Sequence, residues 1–191
     1  MLIPSTTKQQ NNWHLTRNAY HEAGHAVVGH VIGRCIAEVS IVSDTQKGYR
    51  GYCAFDAFME DANGYPQWQE WRCNLELITI MYAGTIALSI ICEVYGWKYE
   101  YWRRCDKSDM DYIHQWASEM LDNESVRYSM LKDAQRQAKE ILVYRWKAVN
   151  VLASALIEHK HLSGGEAHCI IRQAIGETDV DWRTKAWNID N

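Results

Sequence analysis

Two histidines four residues apart, with a glutamate directly after the first, stand in the stretch AYHEAGHAVVGH, Ala19 to His30. On a helix each residue advances by about 100°, so positions four apart lie within about 40° of one another, one turn up. His21 and His25 therefore project side by side and can offer two imidazole nitrogens to one zinc ion. Glu22 is turned to the side of that line, where its carboxylate reaches a water at the metal rather than the metal itself. Zinc lowers the pKa of such a water to about 7, and a carboxylate that takes the proton lets the water attack a peptide carbonyl. The competing reading is an ordinary helix with histidines on a partly buried face, since HExxH is a short pattern that unrelated proteins also carry. Gly24 speaks for the site: glycine costs about 1 kcal/mol relative to alanine in a helix interior. A backbone that must come close to another element would account for it.

A catalytic zinc takes a third protein ligand and keeps a fourth position open. His30 lies five residues past His25, about 140° round the helix, and cannot share that ion. The metzincin pattern needs a histidine ten residues after His21, and that position is Val31. The third ligand must come from elsewhere in the chain.

The elements that would position these groups are mostly helical. Thr16 reads as the N-cap of a helix through RNAYHEAGHAVVGHVI that stops at Gly33. IAEVSIV then alternates Ala37, Val39 and Ile41 on one face, and RGYCAF follows a glycine-containing turn, which predicts a small β-sheet or hairpin. Residues 55–67 read as a loop, and a second helix runs from about Trp68 to Tyr95. Its segment LITIMYAGTIALSIIC, Leu77 to Cys92, carries no charge, but its sixteen residues fall short of the roughly 20 a spanning helix needs. A helix apolar on all sides is a core helix or a membrane span, and the core reading is preferred. An aromatic and charged connector, GWKYEYWRRCDKSD, leads to a third helix whose start is marked by Asp106, with Asp109 three residues on. Both acids suit the positive end of a helix dipole. The helical pattern from Val126 to His161 is long enough to be broken or kinked, and Ser163 with Glu166 forms a capping box for a final helix closed by Gly176.

Composition narrows the function classes. With 47% apolar and 23% charged residues the chain should fold, and 191 residues suit one domain. The net charge of -4 and the absence of a basic stripe exclude a nucleic-acid partner. The cysteines at 35, 53, 73, 92, 105 and 169 form no CxxC pair and read as free thiols; with no apolar signal segment at the N-terminus, the expected location is cytoplasmic.

Taken in order, these segments resemble the peptidase domain of the FtsH-type, ATP-dependent zinc metalloproteases. That family has HEAGHA as its zinc motif, then a strand and a GY strand, here EVSIV and RGYCAF. A helix close to GGRAAEE follows, its place taken by AGTIALS, Ala83 to Ser89; then a segment close to SNDLxxAT, matched by KSDMDYIHQWA; then a long and a short closing helix. The ordered match spans about Thr16 to Ala174. It implies a mainly α fold with a small β-sheet or hairpin, in which a zincin-like HExxH active-site helix lies within a helical bundle. The implied domain covers residues 16–176, with 1–15 as an N-terminal extension and 177–191 as a loose tail. It also implies zinc held by His21, His25 and Asp109, the last matching the aspartate of SND, with Asp106 and Asp111 as neighbours if the register differs. Glu22 would be the general base, and the substrate a peptide or unfolded segment lying along the RGYCAF strand.

Departures accompany the match. The family's ATPase domain and membrane segments have no counterpart before His21, so a separate ATPase partner is expected to deliver structured substrates. Ala83, Gly84, Leu88 and Ser89 replace the paired glycines and the acids of GGRAAEE, which puts family-like packing or assembly around that helix in doubt. A homo-oligomer follows from the resemblance, but no subunit number does. The alternative is a catalytically impaired, peptidase-like binding or adaptor module; an intact Glu22 argues against it, because a purely structural metal site has no use for a base. A membrane-attached peptidase anchored by Leu77–Cys92 is the third and least favoured reading.

Overall fold

The computed structural model describes residues 7–43, 50–56, 67–96 and 107–177. Six helices and three short strands follow one another: α1 (Thr7–Val31), β1 (Ile36–Ser40), β2 (Tyr52–Phe55), α2 (Gln67–Tyr95), α3 (Lys107–Met120), α4 (Glu124–Tyr144), α5 (Trp146–His159), β3 (His161–Ser163) and α6 (Gly164–Ile175). The strands form one antiparallel sheet in the order β2-β1-β3. The expected mainly helical architecture with a small sheet is present. The 1–6 part of the N-terminal extension, most of the 55–67 loop, the connector through Asp106 with Cys105, and the tail beyond residue 177 lie outside the described residues.

Helix α1 is the axis of the molecule, packing on α2, α5 and the sheet. It does not begin at Thr16 but nine residues earlier at Thr7. A capping residue ends a helix only where the preceding chain cannot continue it, and KQQNNWHL contains neither glycine nor proline. Its C-terminus is where glycine predicts it: Gly33 adopts φ 89°, and the Arg34 N–H closes back on the Gly29 carbonyl at 2.8 Å.

Helix α2 is a core helix. Ile78, Leu88 and Ile91 are fully buried, and Thr79 satisfies its hydroxyl on the Leu75 carbonyl at 2.6 Å. It is the one helix among the described residues long and apolar enough to cross a membrane, and more than half of that apolar window is covered by the rest of the protein. Where α1 and α2 meet, Gly24 accounts for the approach: a Cβ there would sit 2.7 Å from the Ala83 carbonyl oxygen and 2.8 Å from the Ala87 Cβ.

Three local features depart from the sequence pattern. Ala37 is exposed while Ile36 is buried, because a bulge between Ile36 and Glu38 breaks the alternation expected of Ala37, Val39 and Ile41. The long pattern after Val126 is two helices, separated at Arg145, and the first is capped by Asn123, whose side chain accepts from the Ser125 and Val126 N–H groups. His161 to Ser163 is a strand, paired to β1 through Leu162 opposite Val39. Directly after it the capping box forms as read, with Glu166 accepting from the Ser163 N–H at 2.8 Å, and Gly176 closes α6 at φ 76°. Among the described cysteines all are free thiols.

His30 and His168 tie α1, α6 and β1 together. The Ile36 N–H donates to His168 Nε2 at 3.0 Å, so His168 carries its proton on Nδ1 and donates it to His30 Nδ1 at 2.7 Å. Burial, followed by the charges of His30 and Arg172 and against Asp56, holds the His168 pKa down at about 4; burial likewise lowers His30, with Glu177 opposing and Arg172 and Arg145 assisting. A depressed histidine pKa means that the unfolded chain binds the proton more readily. The pair's stabilisation is thus complete above about pH 6.5 and is lost as pH falls toward 4. Between pH 7 and pH 5 the wild type should lose about 2 kcal/mol more stability than His168→Gln, measured by urea denaturation; equal losses would contradict the linkage.

Candidate metal centre

Successive turns of α1 place His21 and His25 on one face, and α3 brings Asp109 over them from 84 residues further along the chain. His21 Nε2 lies 2.8 Å from Asp109 Oδ2, His25 Nε2 lies 4.0 Å from the same oxygen, and the two Nε2 atoms are 3.1 Å apart. Ligands at tetrahedral zinc, with bonds of 2.0–2.2 Å, are separated by about 3.3 Å. The three observed separations straddle that value. Two imidazoles and a carboxylate converging on one point form a triad able to hold a metal ion, with each donor atom within 4.8 Å of the others. Asp111 is exposed on α3 and outside the triad; Asp106 is not among the described residues. His30, as expected, points elsewhere, to His168.

The environment prepares the donors. Burial, then the proximity of His21, pushes the His25 pKa down to about 4, outweighing Asp109 and the hydrogen bond to the Ile80 carbonyl. His25 is neutral at pH 7, and because Nδ1–H donates to Ile80 O at 2.7 Å, the lone pair is on Nε2, which faces the triad. A backbone acceptor that sets the tautomer of a metal-binding histidine is a common supporting contact. Asp109 is held below the usual carboxylate value: burial acts to raise it, but the hydrogen bond from His21 and the charges of His25, His21 and Arg17 prevail. It is an anion at any pH at which the histidines are free to bind metal.

Glu22 stands apart from the triad. It is 6% exposed, and burial lifts its pKa to about 7, with His21 and Arg17 pulling down and Asp109 pushing up. Its carboxylate is roofed by the chain leading into β2, where a Cβ on Gly51 would lie 2.8 Å from Glu22 Oε1. Cys53, two residues on, is pushed well up by burial and then by the Glu22 charge. A carboxylate with a pKa near neutrality is matched to accepting and returning a proton at pH 7.

Of the four residues expected from the sequence, His21, His25 and Asp109 come together and Glu22 lies outside their triad; the contacts that hold them were not legible. Gly84 of α2 is the main omission, having been read only as a departure from a glycine pair. A Cβ there would collide with His25 Nε2 and would lie 2.6 Å from His21 Cε1 and 2.8 Å from His21 Nδ1. Position 84 is therefore closed to any side chain while both imidazoles face Asp109. Its signal in the sequence was a glycine inside an apolar helix where nothing local requires one. Gly84→Ala should weaken metal binding at the triad by about 10- to 100-fold, the range for disturbed supporting residues, in a chelator-competition titration; unchanged affinity would show that the histidines have room to move. No protein-family model matches the chain, and no curated protein matches it.

Proposed function

We propose that the chain is a zinc-dependent metallopeptidase that hydrolyses peptide bonds in peptides or unfolded segments, with an FtsH-like peptidase domain built around a zincin-like HExxH helix. The observation that carries this reading is the meeting of His21, His25 and Asp109 beside a buried carboxylate, Glu22, that belongs to no ligand pair. A nitrogen-rich donor set with one carboxylate fits zinc among the common metals, and three protein ligands leave an open position. Zinc bound there supplies a Lewis acid that makes water acidic near neutrality.

The chain's own residues supply the remainder. His25 presents an Nε2 lone pair, His21 Nε2 would give up the proton it shares with Asp109 to bind the ion, and Asp109 brings the compensating negative charge. Glu22 accepts a proton from water and returns it to the departing amine, a transfer its raised pKa favours in both directions. Strand β2 lies at the end of the sheet order, and its outer edge has no strand partner among the described residues. An extended peptide can add to such an edge by main-chain hydrogen bonds, which brings its carbonyls past Glu22. Only extended backbone can dock this way, so a folded substrate needs a separate unfolding partner, for which an ATPase is suited.

Replacement of Glu22 by Gln tests the assignment. E22Q should retain about one zinc per chain while cleavage of an unfolded substrate falls by about 100-fold or more. A chelator should abolish wild-type cleavage and added zinc should restore it. A wild-type chain that holds zinc yet cleaves no peptide would favour the binding or adaptor reading instead.

A further inference from the structure

Asn18 and Glu22 are four residues apart on α1, on one face and one turn from each other. Asn18 is only 8% exposed, and both ends of its amide are used: Oδ1 accepts from Arg17 Nη1 at 3.0 Å, and Nδ2 donates to the Arg50 carbonyl at 2.8 Å. The second bond spans 32 residues of chain and lands one residue before Gly51. Gly51 lies against Glu22. A Cβ there would be 2.8 Å from Glu22 Oε1, 3.2 Å from Glu22 Cγ and 2.9 Å from the Ser40 carbonyl oxygen. Gly51 is not among the glycines with positive φ, so its missing Cβ serves this close approach and not a turn. Arg50 and Gly51, at the entry to β2, are thus both fixed on one stretch of α1, the first by a hydrogen bond and the second by its lack of a side chain.

The strand register shows what this entry carries. The Ile41 N–H donates to the Lys160 carbonyl at 2.9 Å, and Val39 stands opposite Leu162. Backbone groups alternate in direction along a strand, so Val39 and Ile41 bond to β3, whereas Glu38 and Ser40 bond to β2. Their partners on β2 are Ala54 and Tyr52, which leaves Cys53, and Gly51 before it, to direct N–H and C=O toward the outer edge. An extended peptide can add at that edge, about 4.8 Å from β2. The height of Gly51 above Glu22 therefore sets the distance from that carboxylate to the peptide's carbonyls. Such a distance has little slack, since a misplacement of about 1 Å can cost about 100-fold in rate.

We infer that Asn18 and Gly51 are positioning residues of the reaction, which clamp the entry of β2 onto α1 at the height that brings a docked peptide's carbonyl to Glu22. The inference rests on the metallopeptidase reading and adds to it the contacts that align the substrate strand with the base.

The test uses Asn18→Ala, Gly51→Ala and the two combined in the full chain, with zinc affinity measured by competition against a chromogenic chelator and kinetics on fluorescently labelled casein. Each single variant should bind zinc and keep KM within about threefold of wild type while losing about 30- to 100-fold in kcat. Because both residues act on one distance, the double variant should lose no more than about threefold beyond the worse single. A tether that only stabilises the fold predicts wild-type kcat in the folded, zinc-loaded variants, and that result overturns the assignment. Zinc affinity that falls in step with kcat overturns it too, as do losses that multiply in the double variant. Should N18A fail to fold, G51A decides: a selective loss of kcat supports the clamp, and wild-type kcat overturns it. A wild type that binds zinc and cleaves nothing overturns the metallopeptidase reading first and this inference with it, whereas an active wild type confines the result to Asn18 and Gly51.

Discussion

Helices α1 and α2 pack against each other with a glycine of each helix at the contact. Gly24 faces the Ala83 carbonyl and Ala87, and Gly84 faces the two imidazoles. That close crossing determines the rest of the centre. It brings the Ile80 carbonyl within 2.7 Å of His25, which sets the histidine's tautomer, and it leaves room for His21 and His25 to turn toward α3. A wider crossing would separate His25 from its carbonyl acceptor, and an imidazole without that acceptor would be free to turn either nitrogen toward Asp109. Ala83 and Leu88, which depart from the family-like GGRAAEE pattern, fit this arrangement: Ala83 forms the contact with Gly24, and Leu88 is fully buried in the core. Both therefore serve packing.

The crossing also explains the unusual electrostatics. Enclosing His25, Glu22 and Asp109 between packed helices removes water, which disfavours every charged form. His25 yields and becomes neutral, Glu22 moves to about pH 7, and Asp109 stays ionised because the two histidines and Arg17 outweigh its burial. Three groups exposed to one desolvation thus reach three different protonation states. Their partners separate them: a carbonyl for His25, a hydrogen-bonding imidazole for Asp109, and for Glu22 a backbone roof at Gly51. A carboxyl poised near neutrality, a neutral imidazole and a carboxylate anion result from one enclosed volume.

Much of this was legible before any coordinates. Spacing alone placed His21 beside His25, and the cost of Gly24 in a helix pointed to a close backbone contact, which is the one it makes. The Ser163–Glu166 box and the stops at Gly33 and Gly176 were legible because capping is local chemistry, written in a few adjacent residues. Asp109 was different: no local rule distinguishes it from Asp111 two residues on, and only the ordered resemblance selected it. Features set by distant contacts were not legible. The bulge that exposes Ala37, the strand at His161–Ser163 and the Gly84 contact each depend on an element that lies far away in sequence. The start of α1 was misplaced for the opposite reason, since a capping residue at Thr16 was available but nothing upstream required the helix to end.

A second histidine pair, His30 of α1 with His168 of α6, shows by contrast what sets the candidate centre apart. His30 and His168 are as close as His21 and His25, with nitrogens 2.7 Å apart, and are also buried and neutral. Their nitrogens, however, are spent on structure. His168 takes the Ile36 N–H on one side and gives its proton to His30 on the other, which leaves neither a lone pair to offer a metal without breaking β1 or α6 away. At His25 the structural bond uses Nδ1 alone and leaves Nε2 facing a carboxylate and a second imidazole. Proximity of histidines does not make a metal site. A nitrogen left over after the fold's own hydrogen bonds are satisfied, aimed at an anion, is what a metal can use; His25 Nε2 keeps one and His168 does not.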